Sequence, residues 1–507
     1  MNVYSEVFII SQRKIGAVLG YLNILLQMVV NFLYIPLLLY YIGKEEFGLY
    51  QLIGSLIAYF IVMDFGLSDM VVRFYVRYIT IKDDIGAENI LAIARRGYVI
   101  LCIFILLIGF VGYVFIPAWF DNTMTKEEID EGMNIYILLL FNFVITMLGM
   151  IYKAVINARQ KFLFLRGIAC LQTVMQPILV LAILQAWPCA YAVAAATSIV
   201  NVLFILWQIV YVKRILRVRI KYHYWNNKLL HGVGHFMLMQ VIVLVTDMVF
   251  LKTNQVILGL ISGTVMVAIY AIAANIQQAY MSLSCSISGV FLPHVTEMVV
   301  KNANSVELSS MFIRIGRLQF FILGLVGSGF VIFGQEFIEL WAGEGFEDSY
   351  WIALLIMLPF TTDLIQNVGF AILQAKNRYG IRAMVQTIMA VINIMLAIPL
   401  GMKYGGIGCA AATGLCMFLG NGVGMSYCYS KFLHLQMKKF WGQIITMLFK
   451  VSLLTAAVYV VNCFLPEAGG VLFVVKVIAY TAIYGVMAYL FGFNKYERSL
   501  CAVWRRR

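Results

Sequence analysis

The chain is a succession of long apolar runs separated by short polar or glycine-bearing intervals. The runs fall near residues 15–41, 47–78, 97–118, 133–156, 163–186, 189–212, 229–257, 264–292, 314–340, 350–374, 382–402, 406–430, 440–464 and 470–492. Each is close to, or above, the ~20 apolar residues a helix needs to cross a ~30 Å hydrocarbon core. None alternates with period two, so helices rather than barrel strands satisfy the backbone in lipid. The pattern predicts an all-α polytopic membrane protein of about fourteen transmembrane helices. The second run is so long that it must tilt or extend beyond the bilayer.

Polar positions inside these runs are patterned. Asn23, Gln27 and Asn31 recur every four residues, so they share one face of the first segment. Asn142, Thr146, Lys153 and Asn157 stripe the fourth segment; Asn275, Gln278 and Ser282 lie in the eighth. Gln172 and Gln176 mark the fifth, and Gln386 with Asn393 the eleventh. Hydrogen bonds between neighbouring helices would explain any one of them, at roughly 0.6–2 kcal/mol each. Their spread over many segments favours a shared aqueous cavity lined by Asn23, Gln27, Asn31, Asn142, Thr146, Asn275, Gln278 and Asn393. Amides and hydroxyls suit such a lining because they bond sugars as donor or acceptor. Ionisable groups at depth are costlier, at least ~2.5–3.5 kcal/mol at the bilayer centre. Asp363 stands thirteen residues into the tenth segment, near the midplane, one turn before Asn367. A proton, a sodium ion or a sugar are its functional partners, and a bonded kink after Pro359 is the structural alternative. Asp64 and Asp247 are less central candidates of the same kind. Bending is expected at Pro36, Pro177 and Pro359.

Composition sharpens this picture. The 507 residues are 63% hydrophobic and 12% charged, with a mean hydropathy of +0.90. A soluble protein carries roughly 25% charge, so a water-soluble enzyme is excluded. The nine cysteines form no CxxC pair and the five histidines, His235 and His294 among them, lack metal spacing, so neither a metal nor a cofactor is expected. About 29 of the 37 bases lie in one alternate set of loops, from Arg13 and Lys14 to the Lys495–Arg507 tail, while the opposite set is acidic around 121–131 and 344–348. By the positive-inside rule both termini are cytoplasmic. The net charge of +13 is this bias plus attraction to anionic lipid, so nucleic acid need not be invoked. No cleavable signal is visible, because Ser11-Gln-Arg-Lys14 leads directly into a full-length segment. The longest outward loop, 119–132, has about fourteen residues. That leaves no room for an external catalytic domain, and no P-loop is present, so an enzyme is not expected. Asp64-Phe-Gly66 mimics a kinase metal triplet, and Gly406-Ile-Gly408-Cys-Ala-Ala411 a dinucleotide fingerprint. Both lack their structural context, and the glycines, with Gly420, Gly422 and Gly424, suit close helix packing.

An internal repeat organises the segments. Ala158-Arg-Gln-Lys-Phe162 is echoed by Ala375-Lys-Asn-Arg-Tyr379, Ala169-Cys-Leu-Gln-Thr-Val-Met175 by Ala383-Met-Val-Gln-Thr-Ile-Met389, and Ala194-Ala-Ala-Thr197 by Ala410-Ala-Ala-Thr413. The offsets, 217, 214 and 216, span six helices, an even number, so the two copies share one topology. Such parallel repeats are related by an axis along the membrane normal, with the substrate at their interface. The expected domains are an N-terminal lobe, 1–222, a C-terminal lobe, 223–436, and two additional helices with a basic tail, 437–507.

Ile42-Gly-Lys-Glu-Glu-Phe-Gly-Leu-Tyr50, followed by Asp64-Phe-Gly-Leu-Ser-Asp-Met-Val-Val-Arg73, resembles the opening of polysaccharide flippases of the O-antigen type. These belong to the multidrug/oligosaccharidyl-lipid/polysaccharide exporter superfamily. Asp247, Leu258-Gly259 and Val267-Ala-Ile-Tyr-Ala271 are similar to that family's seventh and eighth helices. The resemblance covers the first twelve segments. It implies alternating-access flipping of an undecaprenyl-diphosphate-linked oligosaccharide from the inner to the outer leaflet of a bacterial cytoplasmic membrane, with polysaccharide polymerase or glycosyltransferases as possible partners. A diphosphate needs fixed cations, and Arg73, Lys153 and Arg314 are the first candidates, with Arg317 and Lys252 beside them. Lys450 and Lys476 are expected to snorkel, or to flank a groove for the lipid tail. The rival reading is a cation-coupled multidrug exporter of the same superfamily, whose cavity should be acidic and aromatic.

Overall fold

The computed structural model describes residues 3–224, 227–301, 303–376, 378, 380–464, 470–494 and 497–498, with the side chains of 3–18, 21, 227–240 and 292 excepted. Arg13, Lys14, Lys228, His235, Asn377, Tyr379, Lys495 and residues 499–507, used in the readings above, lie outside the described residues. Fourteen helices follow one another: α1 Val3–Ala58, α2 Leu67–Thr80, α3 Asp84–Phe120, α4 Lys126–Ala158, α5 Phe162–Leu184, α6 Ala190–Val210, α7 Asn227–Val300, α8 Ser305–Ala342, α9 Asp348–Leu364, α10 Asn367–Ala375, α11 Gly380–Met417, α12 Met425–Leu433, α13 Met437–Cys463 and α14 Gly470–Met487. Among the described residues there is no strand. The chain is an all-helical, multi-pass membrane protein.

These helices do not map one to one onto the apolar runs. Ten stretches of the described residues are long and apolar enough to cross a membrane, or eleven if the bent pair α9 and α10 counts as one. Three of them, Leu22–Thr80, Val241–Phe291 and Gly380–Leu433, have 59, 51 and 54 residues. At 1.5 Å per residue each is far longer than a ~30 Å core. Each contains one glycine with a backbone no other residue readily adopts: Gly43 (φ 75°), Gly263 (φ 78°) and Gly405 (φ 58°). Counting each of the three as two legs divided at its glycine brings eleven to the fourteen read from the sequence. Helix lengths permit that count without fixing it.

Where the backbone leaves the helix inside an apolar stretch, polar groups repair it. After a tight turn over Tyr59–Asp64, Phe65 and Gly66 are both left-handed (φ 49° and 72°). The Asp64 carboxylate there accepts from the Tyr98 hydroxyl at 2.8 Å, tying the break before α2 to α3. At the 44° bend between α9 and α10, the Gln366 amide donates to the Thr362 and Asn421 carbonyls, at 2.7 and 3.3 Å, and accepts from Ser426 Oγ at 3.0 Å. Such substitution of side chains for lost backbone bonds is what lipid demands. Pro36, Pro177 and Pro359 are carried inside helices. The loop read over 119–132 is also shorter than expected, because a capping box of Thr125 and Glu128 starts α4 at Lys126.

The chain forms two compact units, Met1–Ala271 and Ile272–Arg507. In the first, α1 packs on α5, and α4 on α3 and α6. In the second, α11 packs on α9 and α13 on α8. The first unit includes the α7 residues up to Ala271, whereas the sequence repeat draws its division at 222. Close backbone approach sets the second unit's packing: a Cβ on Gly414 would lie 2.0 Å from the Leu355 carbonyl oxygen of α9. Gly414→Ala should therefore push α11 off α9 and destabilise the protein by about 1–3 kcal/mol, seen as a lower melting temperature in detergent. Gly442→Ala, with nothing within 4 Å, should leave it unchanged.

Candidate functional site

In the first unit, several of the intramembrane amides are engaged between helices. Asn201 of α6 donates to Asn142 Oδ1 at 2.6 Å and to Thr146 Oγ1 at 2.7 Å, tying α6 to α4. Thr173 of α5 donates to Asn23 Oδ1 of α1 at 3.2 Å. Gln27 and Asn31, further along the same α1 face, are exposed. Asp64 is bonded at the helix break as described, and Asp247 is half-buried in α7. In the second unit, Thr413 donates to Asn393 Oδ1 at 3.1 Å within the folded-back α11. Asn275 is half-buried and Gln278 exposed.

The nominated cations fall into two groups. Arg73 on α2 and Lys153 on α4 are exposed, and Lys252 on α7 is half-buried. None of the three makes an ion pair or a side-chain hydrogen bond among the described residues. All belong to the first unit. Arg317 of α8 is the opposite case. It is buried, and its guanidinium grips Glu497 with Nε–Oε1 at 2.7 Å and Nη2–Oε2 at 2.8 Å. Nη2 also donates to the Gly492 carbonyl at 3.0 Å and Nη1 to Gln443 Oε1 at 3.3 Å. With its fork filled, Arg317 has no free face for a diphosphate in this arrangement. Arg314, one turn earlier, is exposed.

Lys476 is likewise not a snorkelling residue. It is buried and pairs with Glu336 at 3.3 Å. Lys450 donates to the Phe491 carbonyl at 2.8 Å. With Tyr480 bonded to Ser328 and Tyr484 to the Phe321 carbonyl, these contacts fasten α14 to α8. Sequence reasoning passed over Glu336 and Glu497, although a lone acid inside or beside an apolar run is itself the signal that a base awaits it elsewhere.

Asp363 sits at the end of α9, just before the bend. It is half-buried and accepts no side-chain hydrogen bond among the described residues. Its setting is polar: Asn367 Nδ2 and Gln319 Nε2 both donate to Ser284 Oγ, at 3.4 and 3.0 Å, and the Arg382 charge acts on it. Arg382 itself stacks 3.9 Å from the Phe370 ring centroid. Neither Gln319 nor Ser284 was singled out by spacing: Ser284 is one of four alternating serines, 282 to 288, and Gln319 follows two arginines, so neither continues a stripe of amides. No group of three His, Cys, Asp or Glu side chains among the described residues could hold a metal ion.

A model of the polysaccharide biosynthesis protein family matches residues 16–299, more than half of the chain. The chain belongs to that family. No curated protein matches it. Among solved structures, the lipid II flippase MurJ in an inward closed conformation superposes with a TM-score of 0.71 at 15% identity, covering 94% of this chain and 98% of that one. An inward-facing multidrug resistance MATE family transporter of the MOP superfamily gives 0.63 at 15% identity, covering 82% and 96%. A MOP superfamily transporter from Pyrococcus furiosus Vc1 gives 0.56 at 12% identity, covering 84% and 96%. This member of the polysaccharide biosynthesis family thus has the fold of the MOP superfamily, as the residues at 42–50 and 64–73 implied.

Within this family member, paired and unpaired cations should respond differently to substitution. Glu497→Gln leaves a buried guanidinium without its counter-charge, and a loss of about 3–5 kcal/mol is expected, read as a lower melting temperature in detergent. Replacing both partners, Arg317→Leu with Glu497→Leu, should recover most of it. Lys252→Gln breaks no bond and should leave the melting temperature unchanged or raise it.

Proposed function

We propose that the protein is a flippase for a polyprenyl-diphosphate-linked oligosaccharide, carrying it from the inner to the outer leaflet of a bacterial cytoplasmic membrane by alternating access. The observation that carries this reading is the set of uncompensated bases in the first unit. A protein that has matched Arg317 with Glu497 and Lys476 with Glu336 gives Arg73, Lys153 and Lys252 no ion-pair partner among the described residues. A cation in or beside lipid is expensive unless an anion meets it, and a diphosphate is such an anion. A carrier of cationic drugs would instead be disfavoured by this charge. The exposed amides of Gln27 and Asn31 are the glycan contacts proposed for this unit. Asp363, in its polar surroundings, is the proposed coupling-ion residue of the second, with Asp64 and Asp247 as further candidates.

The lobes of the working carrier are proposed to follow the sequence repeat, 1–222 and 223–436, with 437–507 as an addition and both termini cytoplasmic. The family match supports the polysaccharide assignment, and the MOP fold supports alternating access. Deleting the gene should cause a glycan-linked polyprenyl lipid to accumulate in the inner leaflet, identified by mass spectrometry of extracted lipids. The chain with Arg73→Gln, Lys153→Gln and Lys252→Gln should fail to relieve the accumulation although it reaches the membrane. Full relief by that variant would sink the anion assignment. No accumulation on deletion, with new sensitivity to cationic dyes, would select the drug exporter.

A further inference from the structure

Two interrupted helices meet in the second unit. Ile365 and Gln366 separate α9 from α10, and the two helices are bent by 44°. On the neighbouring rod, residues 418–424 between α11 and α12 are wound as a π-helix, in which each backbone bond spans five residues rather than four. The two interruptions touch. The buried Gln366 amide donates to the Asn421 carbonyl at 3.3 Å and to the Gly422 carbonyl at 3.5 Å, and Ser426 Oγ donates to its Oε1 at 3.0 Å. A Cβ on Gly422 would stand 2.8 Å from Thr362 Oγ1. Behind the bend, a Cβ on Gly316 of α8 would stand 2.8 Å from the Ile365 carbonyl oxygen. Bends and π-turns are places where the helical ladder is already interrupted, so rotation there breaks fewer bonds than elsewhere along either rod.

The chain is bonded differently on the two sides of this level. Before the breaks, α9 lies against α11 through the Gly414 contact. After them, α10 lies against α12. The Tyr429 ring fills the space over Gly369, where a Cβ would stand 2.6 Å from its Cζ. Arg378, just past α10, donates from Nη1 to the Phe432 carbonyl at 2.9 Å. α10 and α12 thus make one piece. Toward α8 this piece presents the Tyr429 ring, edge-on to Phe312 with centroids 5.9 Å apart. Such a contact can slide without breaking a hydrogen bond.

The same piece closes the polar cluster beside Asp363. Ser284 Oγ lies 3.2 Å from the carbonyl of Leu364, the residue after Asp363. Asn367, the first residue of α10, reaches Ser284 Oγ at 3.4 Å, a long and therefore weak bond. Phe370, further along α10, carries the Arg382 guanidinium 3.9 Å from its ring centroid. Behind them Ser284 and Gln319 are fully buried, and Gln319 Oε1 accepts no hydrogen bond among the described residues. An unmet acceptor in a closed polar cluster is costly, and access by water or an ion relieves that cost. Moving α10 away breaks only the weakest of these bonds and removes one wall.

We infer that α10 and α12 swing as one piece on a double hinge, Ile365–Gln366 and residues 418–424, latched by the Gln366 amide, and that the swing uncovers the cluster of Ser284, Gln319 and Asn367 beside Asp363. This depends on neither the cargo nor the ion proposed for Asp363. The full-length protein with its nine cysteines replaced by serine, and Ser284→Cys as reporter, provides the test. The buried thiol should react slowly with a small water-soluble methanethiosulfonate. Gln366→Leu removes the latch. Gly422→Ala pries the hinge by a different route, pressing a Cβ on Thr362, and serves if the first variant fails to fold. Each should raise the reaction rate by about tenfold as the open population grows. Leu358, Gln374 and Ser430 are exposed and accept spin labels as cysteines. Labels at Leu358→Cys and Gln374→Cys, across the hinge, should change their separation in these variants, while labels at Gln374→Cys and Ser430→Cys, within the swinging piece, should keep theirs. Fast reaction of Ser284→Cys with the latch intact overturns the closed cluster. A latch or wedge variant that stays monodisperse on gel filtration and reacts no faster overturns the hinge, as does faster reaction with the 358–374 distance unchanged. An altered 374–430 distance overturns the joint motion. None of these outcomes depends on which lipid accumulates in the deletion strain.

Discussion

A backbone in lipid must bond to itself or to side chains, and the rest of this structure follows from that constraint. It makes the helices long, and it decides how they are allowed to stop. Three rods run well past the thickness of a bilayer and depart from helical backbone at Gly43, Gly263 and Gly405. The two interruptions at other positions each have a polar side chain in attendance. Asp64 takes the Tyr98 hydroxyl beside the break before α2. Gln366 reaches the Thr362 carbonyl at the end of α9 and the Asn421 carbonyl after α11. Polar residues at these places are first of all structural necessities, and any function they have is built on that.

The same constraint governs charge. A base buried in the second unit is met by an acid, and the partners come from far along the chain: Arg317 from α8 with Glu497, and Lys476 from α14 with Glu336. These pairs, with the tyrosine bonds to α8, hold α14 and the residues after it to α8. The first unit follows the opposite rule at Arg73, Lys153 and Lys252. The contrast gives the anionic-cargo reading its physical content, because leaving a charge unmatched is tolerated where a ligand is to match it.

Close packing supplies the remaining element. Glycines at 48, 259 and 414 let backbone approach backbone or admit a leucine side chain, and in lipid, where no hydrophobic force draws helices together, such approach is a main source of adhesion. At Gly414 it joins α11 to α9 within one compact unit. At Gly48 it brings α1 against the Thr264 carbonyl of α7.

The sequence alone determined the class of protein, the approximate positions of the apolar segments and the repeat, because run length and spacing are local properties that every residue of a helix reports. It also singled out Asp64 and Asp363, since a carboxylate in an apolar run is conspicuous wherever it points. Only the tertiary structure decided what the polar residues do. Asn142 and Thr146 turned out to face Asn201, and Arg317 to face a glutamate 180 residues away. That Gly43, Gly263 and Gly405 carry the departures from helical backbone within α1, α7 and α11 was equally hidden. A stripe of amides looks the same along the chain whether it faces water, sugar or another helix. Which it meets depends on the rotation and neighbours of each helix, and these are set by contacts between residues far apart in sequence.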